Sequence, residues 1–350
     1  MGADASHGLT VHMIGSLPLP DAETAFRAVG GALGARMRCL PDGETGRRTR
    51  WISFINDQLK AHPDLEIDPT VPPFEFTQWD GKVVYTVERL RVREGIDPAG
   101  LAFATGYAED AIRNYGIFAR LKAEGAIPAA VKYQICMAPP LAIAFNFMSP
   151  NAYDDFVPAY AAHLRDEFGR ISEALPHDEI AYQWDVCIEV LMWEGYYGLE
   201  EDYRGRILDS LGDIGDMVPA DIDLGYHLCY GSPRDEHLVQ PKDLGVCVAI
   251  SNGIAGAVGR SVQFIHMPVP KDRSDTAYFA PLADLALGEG TALYLGLVHE
   301  GDPDGNARKL AEARKFAAVS GIAAECGLGR GDPDSLGDIL EQHRLLAEAG

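Results

Sequence analysis

The sequence predicts a (β/α)8 barrel, and two observations support that fold class. Eight short apolar runs alternate with longer amphipathic stretches along the 350 residues, and strands that alternate with helices pair in parallel. About eight such units close into a barrel. The loop after the first run reads IGSLPLP, which is not the glycine-rich phosphate loop that a doubly wound open sheet places there. The open sheet is therefore the alternative.

The eight predicted strands are short apolar runs that end in polar or turn residues, at 9–14, 36–40, 129–136, 180–188, 222–229, 261–266, 291–299 and 322–326. Helical patterns lie between most of them, for example at 153–175, 200–216 and 303–320. The last of these begins with a Pro-Asp pair and is predicted to end at Gly321, since glycine commonly follows the final helical turn.

Residues 62–92 interrupt the alternation of strands and helices. The segment FEFTQWDGKVVYTVERLRV has the two-residue periodicity of strands on both sides of Asp80-Gly81, a dipeptide typical of hairpin turns. We expect a β-hairpin insertion after the second strand, serving as a lid or an oligomer contact. Because no repeat or linker is evident, residues 1–350 are predicted to form a single domain.

Charge and composition restrict the partners. The chain carries 52 acidic and 30 basic side chains, a formal charge of −22, which disfavours nucleic acid and anionic membrane surfaces as partners. No apolar run reaches the roughly 18 residues of a membrane span, and no basic-then-apolar leader is present. The six cysteines never form a C-x-x-C pair. These features predict a cytoplasmic protein with reduced thiols and a small-molecule substrate, and leave a homo-oligomer open.

Polar side chains of unusual kind stand at the ends of the predicted strands. In DLGYHLCYGSP, residues 223–233, His227 and Cys229 are two apart and so share one face of a strand. Cys326 ends the last strand, and further polar residues end the others: His12, Asp185, His266 and His299. Catalytic residues of such barrels lie at the C-terminal ends of the strands. A soft metal ion is one explanation of the imidazole and thiols, and an inert core is the other.

Six segments together resemble the cobalamin-independent methionine synthase family, in the family's order: HMIGSLPLP, LPDGETGRR, QWDVCIE, GYHLCYGSP, LYLGLVHEGDPD and GIAAECGLGRGDP. The resemblance covers roughly residues 12–333 and concerns the family's C-terminal catalytic barrel, a zinc-dependent (β/α)8 barrel related to the uroporphyrinogen decarboxylase fold.

The resemblance implies roles for particular residues. It implies Zn²⁺ ligation by His227, Cys229 and Cys326, with His266 at the position of a further ligand that is glutamate in the family. It implies that Glu44 and Asp185 bind a substrate ammonium group and that His299 shuttles protons near the methyl donor. The loop Ile14-Gly15-Ser16 matches the loop that holds the amino acid's carboxylate.

Two features of the chain depart from the family. The first is His266, which occupies the position of the family's glutamate ligand. Imidazole is a good zinc ligand, so a His₂Cys₂ site that includes His266 is chemically sound. The family's Ser-Pro-Arg run near the seventh strand is Glu300-Gly301-Asp302 here, which argues against the usual folate and homocysteine partners.

Some of these residues have simpler explanations. Glu44 could cap a helix. The arginines that follow, Arg47 and Arg48, could bind a substrate carboxylate or phenolate, and a substrate role for this segment is the preferred interpretation. Asp185 could instead form a structural salt bridge with an arginine.

Three functions follow from the sequence. The first is a zinc-dependent alkyl or methyl transferase that activates a thiol substrate, since the thiolate is the competent nucleophile. The alternative is a metal-dependent lyase or hydrolase acting on a small, aromatic or other carboxylate-bearing substrate in the same barrel. The third is a binding protein that has lost its chemistry.

Overall fold

The computed structural model describes residues 8–199, 203–234 and 236–350, and its centre is a ring of eight parallel strands. Their order around the ring is β1 (10–12), β12 (321–323), β11 (292–296), β10 (264–268), β9 (223–228), β8 (180–186), β7 (132–137) and β2 (39–41). Val11 of β1 also forms a parallel bridge with Met37, just before β2, which closes the ring. The predicted (β/α)8 barrel is confirmed. All eight predicted strands are present and each is shorter than predicted, with one end one or two residues outside the predicted bounds at 39–41, 132–137, 264–268 and 321–323.

The ring strands are β1 Thr10–His12, β2 Cys39–Pro41, β7 Lys132–Met137, β8 Ile180–Val186, β9 Asp223–Leu228, β10 Phe264–Pro268, β11 Ala292–Gly296 and β12 Gly321–Ala323. Four further strands lie between β2 and β7: β3 Leu65–Ile67, β4 Phe74–Thr77, β5 Val83–Val87 and β6 Leu90–Val92. The helices are α1 Ala22–Leu33, α2 Ser53–Lys60, α3 Tyr107–Ala123, α4 Pro140–Phe147, α5 Tyr153–Ala174, α6 Ile188–Trp193, α7 Tyr203–Asp216, α8 Gly245–Ala257, α9 Thr276–Phe279, α10 Pro303–Ala313 and α11 Leu336–Ala349. None of the helices in the described ranges is both long and apolar enough to cross a bilayer.

Helix α10 is shorter than the predicted 303–320. Asp302 caps its start by accepting a hydrogen bond from the Gly305 N–H at 3.0 Å, and the helix ends at Ala313. The chain then turns, and Ser320 binds strand β11 through the hydrogen bond from its N–H to the Leu293 carbonyl. Gly321 therefore begins strand β12 and does not end the helix. The start of the predicted helix 200–216 lies outside the described residues, and α7 is described from Tyr203.

The insertion at 62–92 contains two antiparallel pairs. Strand β4 pairs with β5 and β3 pairs with β6, so the predicted hairpin is the inner pair. The turn is where the sequence places it: Gly81 has φ +86°, which glycine adopts without steric cost, and Lys82 N–H donates to the Asp80 side chain at 3.0 Å.

Two glycines of the ring make room for aromatic side chains inside the barrel. A side chain at Gly225 would begin 2.1 Å from the ring of Phe264, and one at Gly321 would begin 2.4 Å from the ring of Tyr294. Phe264 and Tyr294 form a small apolar cluster with Cys39 and Ala181. This cluster fills the lower part of the barrel, so the polar residues are concentrated at the C-terminal ends of the strands.

Candidate metal centre and substrate cavity

His227, Cys229 and Cys326 converge at the C-terminal mouth of the barrel. One nitrogen or sulfur atom of each lies within 4.8 Å of the other two. The Cys229 and Cys326 Sγ atoms are 3.4 Å apart, and Cys326 Sγ is 3.9 Å from His227 Nε2. Ligand atoms 2.0–2.3 Å from a tetrahedral zinc ion are roughly 3.3–3.8 Å from one another. The three side chains therefore fit zinc in number, chemistry and spacing.

Cys326 is positioned by the loop that follows β1. Leu328 N–H donates to the Ser16 carbonyl at 2.8 Å, and Gly329 N–H donates to Ser16 Oγ at 3.3 Å. A side chain at Gly327 would begin 2.4 Å from Ser16 Oγ, so the two loops touch at a point where only glycine fits. Two segments about 300 residues apart in the chain are held together here.

His266 lies behind His227, outside the three-residue group. The Nδ1 atoms of the two imidazoles are 2.7 Å apart, and His266 Nε2 is 3.1 Å from the Ala324 carbonyl. Burial lowers the pKa of both imidazoles, so both are neutral. A carbonyl only accepts, so the hydrogen bonds assign the His266 proton to Nε2. His227 then donates from Nδ1, and its unprotonated Nε2 faces Cys326.

Space for His266 is provided by a glycine on the neighbouring strand. A side chain at Gly296 would begin 2.6 Å from His266 Nε2 and 2.7 Å from the Ala324 carbonyl oxygen. The glycine therefore allows the hydrogen-bond chain from Ala324 through His266 to His227. A hydrogen bond of this kind from a metal-binding imidazole fixes its tautomer and its orientation.

Glu44 and Asp185 are a pair of buried carboxyl groups. Burial raises the pKa of Glu44 to about 7, with the charge of Asp42 adding to the rise while Arg48 opposes it. Burial and the charge of Glu44 raise the pKa of Asp185 well above its ordinary value. Two such carboxyl groups cannot both ionise cheaply. At neutral pH the pair therefore retains at least one proton.

The turn that carries Glu44 is held by a buried ion pair. Asp42 pairs with Arg48 and accepts hydrogen bonds from Asn114 at 2.6 Å and Tyr133 at 3.1 Å. Its other oxygen accepts the Glu44 N–H at 2.9 Å. Arg48 thus stabilises the turn through Asp42. The helical turn that follows has Thr45 at its N-cap position and no side-chain cap, so Glu44 does not cap a helix there.

Backbone strain is concentrated at this site. Glu44 and Trp51 have φ of +45° and +49°, and they are the non-glycine residues with positive φ in the described ranges. Such conformations cost free energy and often occur at functional sites. Both residues line one cavity, and the side chain of Trp51 donates a hydrogen bond that favours ionised Asp185.

Asp185 is also held by an amide beneath it. Gln183 Nε2 donates to Asp185 Oδ1 at 2.8 Å and to the Ile14 carbonyl at 2.6 Å. Its Oε1 is 2.7 Å from His12 Nε2. The interior of the barrel thus connects the carboxyl pair to the loop after β1, and His12 has a structural partner.

A cavity of about 830 Å³ contains most of the residues expected at the site, including Ile14, Ser16, Glu44, Asp185, His227, Cys229 and Cys326. Gly15 lies beside it, and a side chain there would begin 3.0 Å from Glu44 Oε2. The Ser16 backbone N–H binds the Glu44 carboxylate. In the predicted carboxylate-binding loop, the Ser16 N–H therefore already has the Glu44 carboxylate as its partner.

Arg47 does not line this cavity, contrary to its expected substrate role. Its guanidinium donates to the Thr105 carbonyl at 2.7 Å, pairs with Asp110 at 2.7 Å and lies over the Phe54 ring at 4.7 Å. The second of two adjacent arginines points inward and the first points toward α3. Sequence alone does not distinguish them.

His299 lines a second cavity of about 410 Å³, which meets the first at Cys326 and Gly327. Its Nε2 donates to the Val269 carbonyl at 2.9 Å, and burial lowers its pKa to about 3. Buried His237 lines the same cavity, with its Nε2 3.5 Å from Glu325. His299 is therefore neutral and separated from the carboxyl pair.

Two site residues have no clear signal in the sequence. Arg330 donates to Cys326 Sγ at 3.3 Å and to the Ser232 carbonyl at 2.5 Å, although GLGRGDP reads as an exposed loop. Trp51 lies in no motif of the resemblance. The glycines that flank Arg330 are the one feature of the sequence that points to this position, since glycine allows another segment of the chain to approach closely.

Comparison with solved structures gives likenesses in fold. A B12-independent methionine synthase from Shewanella sp. W3-18-1, in complex with selenomethionine, superposes with a TM-score of 0.64 at 12% identity, over 98% of each chain. A methyltransferase from Methanosarcina mazei superposes with a TM-score of 0.53 at 10% identity, over 99% of this chain and 95% of that one. No protein-family model and no curated protein matches the sequence. At these identities the likenesses show a shared barrel fold.

Proposed function

We propose that the protein is a zinc-dependent enzyme that transfers a methyl or other alkyl group to a thiol substrate. The observation that supports this most directly is the cluster of His227, Cys229 and Cys326 at the mouth of the barrel. Three protein ligands are the number found in catalytic zinc sites, whereas structural sites use four. The fold shared with a methionine synthase and a methyltransferase agrees with this proposal.

The proposed reaction forms one carbon–sulfur bond. Zinc bound by the cluster would hold the substrate thiol as its thiolate at neutral pH. The thiolate sulfur bonds to the alkyl carbon, and the bond from that carbon to the donor breaks. Its electron pair leaves with the donor, which then takes up a proton from solvent.

The carboxyl pair gives the cavity its preference for charge. With at least one proton retained between Glu44 and Asp185, the pair carries at most one negative charge and at least one hydrogen-bond donor. This arrangement suits an ammonium or hydroxyl group of the substrate. A group bound by the pair would lie near His227, Cys229 and Cys326, called the zinc cluster below, because all these residues line one cavity.

A metal-dependent lyase or hydrolase is the second candidate, and the pKa of Glu44 favours it. A carboxyl group with a pKa of about 7 suits general acid or base catalysis at neutral pH. Such an enzyme would use the metal to polarise a carbonyl or to activate water. It would need no thiol acceptor.

The test combines metal analysis with product analysis. Purified protein should contain one zinc per chain, and Cys326→Ser should lose it, whereas Cys247→Ser should keep it because Cys247 is a buried thiol hydrogen-bonded to Tyr230. Thiol acceptors incubated with methyl donors should yield methyl thioethers by mass spectrometry. Zinc-free wild type with full activity would refute the proposal, and turnover without any thiol would favour the second candidate.

A further inference from the structure

The inserted hairpin, β4 and β5 with their turn, forms a roof over both cavities. Residues 84–87 of β5 line the main cavity, and Trp79 at the turn lines the second. The side chains of Val84 and Val87 in β5 are buried, whereas Tyr85 between them is exposed. The insertion therefore contributes a wall of the site that the barrel alone lacks.

This roof is fixed to the barrel at three points. The Tyr196 hydroxyl is 2.7 Å from the Thr77 N–H and 2.9 Å from the Thr77 carbonyl. Gln78 donates to Glu236 at 2.9 Å, and Arg234 donates to the Val84 carbonyl at 3.4 Å. These hydrogen bonds hold the hairpin in a fixed position as one wall of the cavity.

The roofed cavity has more room and more apolar surface than a free amino-acid thiol requires. Its volume of about 830 Å³ falls in the range of roughly 300–1,000 Å³ that suits ligands of drug size. The lining of the same cavity includes the apolar side chains of Ile52, Val84, Val87, Phe147 and Leu238. Apolar walls bind apolar groups because both are removed from water.

Two arginines stand at the rim of the same cavity. Arg50 and Arg234 line it and are exposed. Within the described ranges, neither forms an ion pair with an acidic side chain. These two guanidinium groups add positive charge to the rim of a chain whose net charge is −22. Guanidinium groups bind carboxylate and phosphate groups in paired hydrogen bonds.

We propose that the thiol acceptor is an elongated molecule, with its sulfur at the zinc cluster, an apolar body under the hairpin and a terminal oxyanion at Arg50 and Arg234. This inference rests on the proposed thiol chemistry and adds the class of substrate. It extends the site from the strand ends to the insertion, whose strand β5 sets the length and the shape of the acceptor.

The test measures binding of four probe thiols to zinc-loaded protein by calorimetry. The probes are L-homocysteine, phenylmethanethiol, 4-(mercaptomethyl)benzoate and the corresponding phosphonate. We expect the two aryl thiols that carry an oxyanion to bind at least about tenfold more tightly than phenylmethanethiol, which lacks one, and than L-homocysteine, which lacks the apolar body. The better of the two identifies the oxyanion. Equal binding of phenylmethanethiol and the benzoate, or tightest binding of L-homocysteine, would overturn the inference.

Variants locate the effect. Arg50→Gln and Arg234→Gln should each remove most of the tenfold advantage, whereas Arg165→Gln, an exposed arginine of α5, should leave it unchanged. Val84→Trp should weaken all three aryl thiols and spare L-homocysteine. Equal loss in the Arg165 control would contradict the assignment to the rim.

A second readout separates the two proposals. In Co²⁺-substituted protein, added thiols should raise the thiolate-to-cobalt absorption if sulfur reaches the metal. A rise with all four thiols at equal affinity would preserve the alkyltransferase proposal and overturn the elongated acceptor. No rise with any thiol would overturn both.

Discussion

His227 and His266 face each other through their Nδ1 atoms, 2.7 Å apart, with the far nitrogen of His266 on the Ala324 carbonyl. The relationship follows from strand register, because His266 on β10 pairs with His227 on β9, which pairs with Asp185 on β8. One ring thus orients the other, and the nitrogen of His227 nearest the cysteines is left unprotonated. We propose that His266 positions a metal ligand in this way and does not bind the ion itself.

Replacement of His266 tests this role. His266→Leu should weaken zinc binding about 10- to 100-fold, the usual effect of losing such a partner, and His266→Gln should restore part of it because its amide oxygen can accept from His227. Affinity is measured by competition with a chelator. His343→Gln, at a buried histidine in α11, is the control. X-ray absorption showing two imidazoles on the zinc would make His266 a ligand and refute the positioning role.

Gly296 is predicted to be intolerant of a side chain. Gly296→Ala places a Cβ 2.6 Å from His266 Nε2 and 2.7 Å from a backbone oxygen, so we expect about 1–3 kcal/mol of destabilisation together with weaker zinc binding. Urea unfolding measures the first and chelator competition the second. Gly116→Ala is the matched control: it lies in α3 with open space around it and should stabilise by about 0.5–1 kcal/mol. Similar stability changes in the two variants would contradict the steric argument.

Tyr196 should hold the hairpin in place. Tyr196→Phe removes the hydroxyl bonded to Thr77, and each lost hydrogen bond costs about 0.5–1.5 kcal/mol. We expect faster hydrogen exchange in β4 and β5, with the barrel strands unchanged. Tyr197→Phe should have little effect, because within the described ranges the buried Tyr197 hydroxyl has no hydrogen-bond partner. Equal rates of hydrogen exchange in β4 and β5 of the two variants would argue against the Tyr196–Thr77 contact as the one that holds the hairpin.

Stability should depend on pH through Glu44. Its folded pKa is about 7 and its ordinary value is 4.5, so between these values the native state binds a proton that the unfolded chain has released. The free energy of unfolding should therefore decrease as pH rises from about 4.5 to 7, by on the order of 1–3 kcal/mol from this group. Glu44→Gln should flatten this part of the profile, measured by urea unfolding at several pH values. The exposed-site control Glu173→Gln should keep the wild-type slope, and an unchanged slope in Glu44→Gln would refute the assignment.

The strand pattern and the strand-end residues could be predicted from the sequence because both are local. A buried parallel strand reads as a short apolar run, and the two-residue period places His227 and Cys229 on one face. The turn at Asp80-Gly81 is equally local. The end of α10 could not be predicted in this way, since the chain leaves the helix at Ala313 to reach the gap between β11 and β1.

The sequence by itself determined the barrel, the hairpin and the strand-end residues, because periodicity, turn chemistry and residue type are written in neighbouring positions. Only the tertiary structure decided that Cys326 meets Cys229, that Arg47 turns away while Arg330 turns in, and that the hairpin roofs the cavity. The physical reason is that these outcomes depend on contacts between segments distant in the chain, where closure of the ring and packing of the loops fix which side chains share a space. Neighbouring residues in the sequence do not indicate which distant segments will come into contact.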